Sequence, residues 1–545
     1  MSFQSDKKKE DSNPVGIVNI VMLIWYIPFT VALFLVLAVS SATTVYYDFD
    51  QQSDLPRYMR ENIPLLLVLV FAILCLLQYL RRKTSLFTGR MQGEAVPGKR
   101  LPLSCTMRAA LFFAASVSLY LILIIRGLAV NDGLIMDGII NRFMQGDFSE
   151  LQGGGYLAVY PFQIGYIAVG QLLYVLFGPS NYIVYMLLNI PAVLITLWML
   201  YEITWELFES REICDLMAVL STGMFFLFCF TTFVYGDLWS FAPMTAALYL
   251  TMRYLKYHKR SDEIWSGILI GAAVVLKSNC YIAVVAMVIM LLLDGLRNRK
   301  QQGIRLLVQN ILLAVLLVIF AKGMTGIINT AYSRATGVNP WPKGTPSSTY
   351  FAMGMQEAGG EGGWYNGYNR NTYTQSGMNR DLADQTAKRE IADRLRAFRQ
   401  RPLHAANFYV KKFLSQWADE SCISMHDMEE TSRHVTGQTE ILNWILYGGG
   451  RVLFRWIMNL YQALCYLGTA VFCIDEFRKK RFDFLPSFLV LFVFGGMVFH
   501  ELWEASGRYT MRYYICMLPL AAFGIDLLLK KADLITFRKM GKQKR

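Results

Sequence analysis

The chain has 545 residues, of which 54% are hydrophobic and only 17% are charged. A soluble domain of this composition would have too little polar surface to cover itself. The net charge of +13 comes from basic residues in short runs between apolar segments, which is typical of cytoplasmic loops and argues against a nucleic-acid partner.

Apolar runs close to the thickness of a bilayer's hydrocarbon core recur along the chain and predict an all-α polytopic membrane protein with about 12 transmembrane helices. The first run begins at Ile17, behind three lysines, and is too long for the core of a signal peptide, so we expect it to remain as a signal anchor. The predicted spans are 17–41, 62–80, 109–129, 181–203, 213–234, 239–255, 264–277, 280–295, 304–328, 449–474, 484–500 and 511–529. Only Cys422 falls in a long polar segment, which argues against a disulfide framework.

The basic clusters indicate whether the apolar segment 156–177 also crosses the membrane. They lie at 81–108, 253–260, 297–300, 478–481 and in the C-terminal tail. If 156–177 does not cross, every cluster and both termini lie in the cytoplasm, as the positive-inside rule favours. Tyrosines and glutamines recur in this segment at helical spacing and indicate an interfacial or re-entrant helix. A normal span with a polar face buried against its neighbours is the alternative.

Three short segments (130–180, 234–239 and 276–279) and one long one (331–448) are therefore predicted on the outer side. The first loop, residues 130–180, contains the embedded helix. The long loop, residues 331–448, contains a glycine-dense patch and a helical stretch from about 381 to 418 that breaks at Arg401-Pro402.

Three aspartates at predicted outer helix ends could carry chemistry. Asp132 is well placed to cap a short helix, and Asp137 lies one turn further along it; both could equally be ordinary loop carboxylates. Asp237 sits in the tight turn between two spans, where a carboxylate is costly unless it is solvated, paired or used. Gly236 permits this turn. Forming the turn is therefore the alternative role of the Gly236-Asp237 pair, in place of a role in chemistry.

Cations lie at the same boundary. Lys277 stands alone between two apolar runs, where it could snorkel to the interface or face an anionic group such as a lipid phosphate. Arg508 and Arg512 follow in the last predicted outer loop, and a guanidinium suits phosphate oxygens in two-point contact. Glu504 could simply pair with Arg508 one turn away.

Carboxylates and cations gathered at one membrane face would suit glycosyl transfer. A carboxylate can take the proton of a sugar hydroxyl, and fixed positive charge can stabilise a departing phosphate. A divalent cation, Mg²⁺ or Mn²⁺, held by Asp132 and Asp237 could do part of this work.

Several of these motifs, in this order, resemble those of the GT-C superfamily of membrane glycosyltransferases, especially bacterial relatives of protein O-mannosyltransferases and aminoarabinose transferases. They are "NDGLIMDGIINRFMQGDFSEL", "YLAVYPFQIGY", "LFGPSN", "VYGD", "LKSN" and "WEASGRYTMRYY". The stretch "MGMQEAGGEGGWYN" is similar to a loop of the bacterial members. The resemblance covers about 105–530.

The resemblance implies a polyprenyl-phosphate-linked sugar donor, used on the outer face, and an envelope glycan, lipid or protein acceptor. It implies Asp132 as the first catalytic carboxylate, with Asp137 as the competing candidate because the usual Asp-Glu pair is missing, and Asp237 as the second. Lys277 with Arg508 or Arg512 would bind the donor phosphate. The remaining candidates, for the acceptor or the shape of the loops, are Tyr160, Gln163 and Glu504.

The expected organisation has four parts. They are a cytoplasmic N-terminus with two accessory transmembrane helices (1–104), a GT-C-like catalytic membrane module (105–330), the long loop region (331–448), and C-terminal transmembrane helices with a basic cytoplasmic tail (449–545). A multi-span transporter or flippase is the alternative, although transporters place their polar groups near mid-membrane and often contain repeats. A glycan polymerase or ligase of different fold is a third hypothesis.

Overall fold

The computed structural model describes residues 16–49, 54–83, 102–357, 361–479 and 481–543. Within these ranges the chain forms 23 α-helices, four single turns of 3-10 helix and one two-stranded sheet. The predicted all-α class is confirmed, with the small sheet as an addition. Most long helices share one continuous hydrophobic core, which runs from the first helix to the last.

The N-terminal unit is a pair of long helices joined by a β-hairpin. Helix α1 (Ile17–Ala42) leads into strand β1 (Thr43–Tyr46), and strand β2 (Arg57–Arg60) leads into helix α2 (Ile63–Lys83). The strands are antiparallel, with Thr43 opposite Arg60. The sequence analysis did not predict them, although the β-branched and aromatic residues of β1 favour extended structure.

This hairpin docks on two carboxylates of the long loop. Glu420 accepts a hydrogen bond from the Val45 amide at 3.1 Å and another from the Thr44 hydroxyl. Asp419 accepts one from the Tyr47 hydroxyl at 2.6 Å. Both carboxylates are only 1% exposed, so the hairpin supplies donors that buried acidic groups need.

The first loop contains a chain of short helices. Single 3-10 turns at Ser149–Leu151 and Pro161–Gln163 separate some of them. The α-helices from α3 through the loop are α3 (Cys105–Ile125), α4 (Asn131–Met144), α5 (Tyr156–Val159) and α6 (Ile164–Phe177).

Helix α6 has the geometry expected of a helix that does not cross the membrane alone. Its 14 residues span about 21 Å, against a hydrocarbon core of about 30 Å. The preceding segment 149–159 is bent from it by 100°. Two glycines allow α6 to pack closely: a Cβ would fall 1.9 Å from the Val275 carbonyl oxygen at Gly165 and 2.1 Å from the Ile140 side chain at Gly170.

Seven helices follow the first loop. Predicted span 213–234 is divided into α8 and α9 by a break at Thr222–Met224, and α13 is interrupted at Gly303, where φ is +70°. The helices are α7 (Tyr182–Phe208), α8 (Arg211–Ser221), α9 (Phe225–Phe230), α10 (Asp237–Tyr257), α11 (Arg260–Leu276), α12 (Tyr281–Arg297) and α13 (Arg299–Thr336).

The long loop is mostly helical, and the last four helices follow it. The predicted break at Arg401-Pro402 is confirmed, since it separates α16 from α17. The loop helices are α14 (Ser347–Met353), α15 (Tyr368–Gln375), α16 (Arg380–Gln400), α17 (Pro402–Trp417), α18 (Ser424–Ser432) and α19 (Glu440–Tyr447). The C-terminal helices are α20 (Gly449–Lys479), α21 (Phe484–Leu502), α22 (Gly507–Tyr514) and α23 (Leu518–Gln543).

Among the described residues, eight helices are long and apolar enough to cross a membrane, or nine if the bent pair 149–159 and 161–177 is one span. The chain is a multi-pass membrane protein. The count of about 12 stays a prediction, because α8 with α9, α10, α11 and α23 do not meet this length and hydropathy criterion. Helices α8, α9 and α11 have 11, 6 and 17 residues and are too short for this criterion, whereas α10 and α23 are long enough but contain too many polar or charged residues.

Candidate functional site

Asp237 lies at the centre of a buried ion cluster. It is the first residue of α10, directly after the turn at Gly236, and is 1% exposed. Lys277 Nζ lies 3.1 Å from its Oδ2 atom, and Arg512 Nη2 lies 3.1 Å from its Oδ1 atom. Arg508 Nε lies 3.9 Å from Oδ2. The structure thus brings together four of the predicted site residues, from segments up to 275 residues apart.

The local backbone explains how these three cations converge. Arg508 and Arg512 are one turn apart on α22 and therefore project from the same face. Lys277 follows the end of α11 in an extended conformation, which directs its side chain away from the helix axis. Arg512 also donates to the Cys280 sulfur at 3.3 Å.

An aromatic wall completes the cluster. Lys277 Nζ lies 4.1 Å from the centre of the Tyr235 ring, and the Arg508 guanidinium carbon lies 5.1 Å from it, both within range of a cation–π interaction. The Tyr235 hydroxyl accepts a hydrogen bond from Gln163 Nε2 at 2.8 Å. Gln163 therefore fixes the ring on which two cations rest, rather than reaching them itself.

The charge balance around Asp237 favours an additional anion. Three cations contact one carboxylate, whereas Asp427 and Glu504 act on Arg508 electrostatically without forming an ion pair with it. Buried charges are costly unless they are paired. The same balance opposes a divalent cation at Asp237, because three positive groups already surround it.

Asp132 lies beside this cluster, in the first turn of α4. It is half-buried, and its charge acts on the hydroxyl of Tyr156. Its charge also acts on Tyr235 and Glu504, so it faces the cluster rather than the lipid side. The structure places this carboxylate where a reacting group between the first loop and the cations could meet it.

Asp137 has different surroundings. It is buried, and its Oδ2 atom accepts hydrogen bonds from Ser180 at 2.6 Å, Tyr182 at 2.8 Å and Asn141 at 3.4 Å. These bonds fix α4 to the start of α7. The geometry gives Asp137 the role of a structural anchor and leaves Asp132 as the better candidate for chemistry.

Glu504 lies in the connection from α21 to α22, near both Asp132 and the cations of the Asp237 cluster. Tyr509 donates a hydrogen bond to its Oε1 atom at 2.8 Å. Burial raises the pKa of Glu504 to about 7, and Asp132 also raises it, whereas Tyr509, Arg508 and Lys277 lower it. Glu504 can therefore exchange a proton near neutral pH.

Tyr160 occupies the joint between α5 and the next 3-10 turn. Its ring packs edge-to-face on Tyr156 at 5.0 Å, and Phe162 follows at 6.0 Å. It lies near Asp132 as well. Tyr160 therefore packs on Tyr156, on the side of the site where Asp132 lies.

Several members of this site were not predicted as site residues from the sequence. Tyr156 and Tyr235 belong to the motifs quoted above, yet their contacts with Asp132 and Lys277 depend on tertiary packing. Cys280 accepts a hydrogen bond from Arg512, and Asp427 acts on Arg508 electrostatically, each from a separate segment of the chain. No spacing within the sequence indicates these contacts.

Residues 161–321 match the family described as dolichyl-phosphate-mannose-protein mannosyltransferase. The match confirms the predicted resemblance to membrane glycosyltransferases and supports the predicted enzyme class. It includes Gln163, Asp237 and Lys277, whereas Asp132, Arg508 and Arg512 lie outside it. No curated protein matches the chain.

Three solved structures show distant likeness to the chain. The archaeal oligosaccharyltransferase AglB from Archaeoglobus fulgidus, in complex with an inhibitory peptide and a dolichol-phosphate, is 15% identical with a TM-score of 0.40, over 80% of this chain and 52% of that one. Arabinosyltransferase EmbB from Mycobacterium smegmatis is 13% identical with a TM-score of 0.31, over 87% and 45%. ArnT from Cupriavidus metallidurans bound to undecaprenyl phosphate is 13% identical with a TM-score of 0.32, over 77% of each chain. The match spans about half the length of the first two.

Proposed function

We propose that this protein is a membrane glycosyltransferase. It moves a sugar from a polyprenyl-phosphate carrier to an envelope glycan, lipid or protein on the outer face of the membrane. The observation that carries the proposal is the convergence of Lys277, Arg508 and Arg512 on one buried carboxylate beside Asp132. The family match over 161–321 supports the same class of enzyme.

The three cations hold the phosphate of the donor. Arginine presents two parallel N–H donors to phosphate oxygens, and Lys277 adds a point charge. Negative charge grows on the phosphate as its bond to the sugar breaks, and fixed cations in a buried site stabilise that charge. Asp237 keeps the cations in place before the donor binds.

Asp132 acts as the general base. The acceptor hydroxyl attacks the anomeric carbon, the bond from that carbon to the carrier phosphate breaks, and the hydroxyl proton passes to Asp132. Tyr156 lies next to this carboxylate and interacts with it electrostatically. Tyr160 and Glu504 border the space that the acceptor enters, and Gln163 positions Tyr235.

Side-chain cations take the place of a metal at Asp237 in this mechanism. A Mg²⁺ or Mn²⁺ ion shared by Asp132 and Asp237 is the weaker alternative, since the ion would meet three positive groups there.

An apolar cavity lined by Ser278, the residue after Lys277, suits part of the prenyl chain of the donor. It lies between α6, α11, α12 and α13, and its lining is almost entirely apolar. The lining residues are Phe162, Ile164, Val274, Val275, Ser278, Tyr281, Thr325 and Ile328.

The outer face is proposed from the distribution of basic residues. The clusters at 81–108, 253–260, 297–300 and 478–481 and in the tail all lie in the cytoplasm if 156–177 does not cross the membrane. In that arrangement the first loop, the long loop and the cation cluster share the opposite side.

Binding of undecaprenyl phosphate, the carrier without a sugar, tests the proposal before the sugar is known. We expect Arg508→Gln to weaken binding to the purified full-length protein by about 10-fold or more, because a charged hydrogen bond to phosphate is lost. Arg399→Gln, an exposed arginine on α16, is the matched control and should bind like the unaltered protein. Equal affinity for Arg508→Gln and this control would contradict the proposed phosphate site.

A second measurement tests transfer itself. Mass spectrometry of envelope glycans from cells with and without the gene should reveal one glycan, lipid or protein that lacks a sugar when the gene is absent. An unchanged envelope would contradict the proposed reaction.

A further inference from the structure

A histidine and two carboxylates converge on one side of helix α18. His426 and Glu430 are one turn apart, and Asp427 is adjacent to His426. One ligand atom from each residue lies within 4.8 Å of the others. The cluster lies in the long loop, and its Asp427 faces Arg508 of the Asp237 ion cluster from the opposite side.

Two atoms of this cluster are buried without a hydrogen-bond partner. His426 and Asp427 are each 4% exposed. His426 Nδ1 and Asp427 Oδ2 form hydrogen bonds with no residue in the part of the chain that the structure describes. His426 Nδ1 lies 3.5 Å from the other oxygen of Asp427, Oδ1. Buried polar atoms are normally satisfied, so these two are available to a bound ligand.

The donor set has the composition of a transition-metal site. An imidazole nitrogen with two carboxylates suits Zn²⁺ or Mn²⁺, whereas Ca²⁺ and Mg²⁺ prefer oxygen ligands alone. Zinc binds nitrogen and carboxylate oxygen at about 2.0–2.2 Å. Ligand atoms within 4.8 Å of one another can reach such an ion after small side-chain rotations.

The surrounding groups orient the cluster. Asn131 Nδ2 donates to Glu430 Oε1 at 2.8 Å, and the His426 ring packs against Tyr47 at 5.7 Å. Arg508 acts on Asp427 and Arg433 acts on Glu430, whereas Asp54 adds a negative charge near His426. The three ligands themselves supply two negative charges for a divalent ion.

We propose that His426, Asp427 and Glu430 bind a divalent transition-metal ion of the zinc class. The ion holds the three side chains of α18 in one arrangement. Helix α18 is itself joined to the start of α4, where Asn131 donates to Glu430 and the Leu128 amide donates to the Thr431 carbonyl at 2.9 Å. The ion also engages the carboxylate that faces Arg508. The site is independent of whether the protein transfers a sugar.

Metal content tests this site directly. Tag-free full-length protein is dialysed against Zn²⁺ and then against metal-free buffer, and bound zinc is measured by elemental mass spectrometry. We expect about one zinc per chain in the unaltered protein and in His404→Ala, a control histidine elsewhere in the long loop. His426→Ala and Asp427→Asn should lose it.

Co²⁺ gives a second readout of the same site. Its visible absorption reports coordination by nitrogen and oxygen ligands, and we expect this signal in the unaltered protein and not in His426→Ala. If His426→Ala fails to fold, Glu430→Gln serves instead, since it can keep the bond to Asn131 while losing a charge; its zinc affinity should fall by about 10-fold or more. Equal zinc content in the unaltered protein, the control and the cluster variants would overturn the proposal, as would the absence of zinc from all of them.

Discussion

Asp132 and Asp137 are five residues apart on one short helix, yet their carboxylates meet different partners. Asp137 accepts three hydrogen bonds and joins α4 to α7, whereas Asp132 faces Tyr156 and the cation cluster. The sequence left the two open, because both lie on an amphipathic helix of a polar loop. The hydrogen-bond partners of the two carboxylates therefore support the proposed division of roles, with Asp137 as an anchor and Asp132 as the base.

Substituting each aspartate by asparagine tests this division of roles. We expect Asp132→Asn to lower transfer by about 100-fold or more while the melting temperature stays close to normal, because only the proton acceptor is lost. Asp137→Asn should lower the free energy of unfolding by about 1–3 kcal/mol, because a buried carboxylate loses its charge among three donors. Transfer assays and thermal unfolding of both variants check the pair, and the reverse pattern would exchange the roles.

Glu504 makes stability depend on pH. Burial raises its pKa in the folded protein from 4.5 to about 7. The folded state then binds more protons than the unfolded state between these values, so the contribution of Glu504 to stability falls as pH rises through this range. We expect Glu504→Gln to flatten the dependence of melting temperature on pH between about pH 5 and about pH 8.

The control for this measurement is Glu390→Gln, an exposed glutamate on α16. Its melting curve should follow that of the unaltered protein at every pH. If Glu504→Gln also follows that curve, the carboxyl of Glu504 does not titrate in the folded state as proposed.

At the level of elements, buried contacts from the long loop hold the segment that carries Glu504. Lys412 of α17 is buried and donates hydrogen bonds to the carbonyls of Gly354 at 2.6 Å, Glu501 at 2.8 Å and Trp503 at 2.7 Å. Burial lowers the pKa of Lys412 to about 8, against the opposing influence of Glu501 and Glu504. One ammonium group thus connects α14, α17 and the end of α21.

Lys412→Met should lower the free energy of unfolding by about 3 kcal/mol, because one buried and two partly buried carbonyls lose a charged donor. We also expect reduced transfer, since Glu504 is adjacent to the released segment. Lys411→Met is the matched control, as the neighbouring lysine is exposed and should tolerate the change. Thermal unfolding of both variants measures the difference, and equal melting temperatures would contradict this role of Lys412.

The same elements indicate which features the sequence could predict. The break between α16 and α17 follows from a local rule, since proline disfavours a helical residue before it and is tolerated in a first turn. The β-hairpin was missed because its stability depends on Glu420, 375 residues away from Val45. Likewise, Asp237, Lys277 and Arg512 were predicted from their position at helix ends. The contacts of Lys277 with the Tyr235 ring and of Arg512 with Cys280 could not be predicted, because they depend on the tertiary fold.

For the whole molecule, the bend before α6 bears on whether segment 156–177 crosses the membrane, and this decides the orientation of every later helix. If 156–177 does not cross, residue 179 lies outside and residue 259 inside; if it crosses, both positions exchange sides. Pro179 and Lys259 are both exposed and suit labelling, unlike the buried Gly170. A chain in which the exposed Cys75 and Cys105 are replaced by alanine provides the background.

We expect an impermeant thiol reagent applied to intact cells to label Pro179→Cys, and to label Lys259→Cys only after the membrane is opened. Labelling of Lys259→Cys in intact cells would overturn the proposed orientation and place the cation cluster on the cytoplasmic side. The melting temperature of each variant should stay normal, because both side chains are at the surface.

The docking of the N-terminal hairpin on Asp419 and Glu420 has a practical consequence for anyone who shortens this chain. The first two helices look dispensable, because the likeness to the glycosyltransferases begins near residue 105. Deleting them would strip Tyr47, Thr44 and Val45 from two acidic groups that are 1% exposed. A truncated protein would then admit water beside α18, so expression trials are better started from the full length.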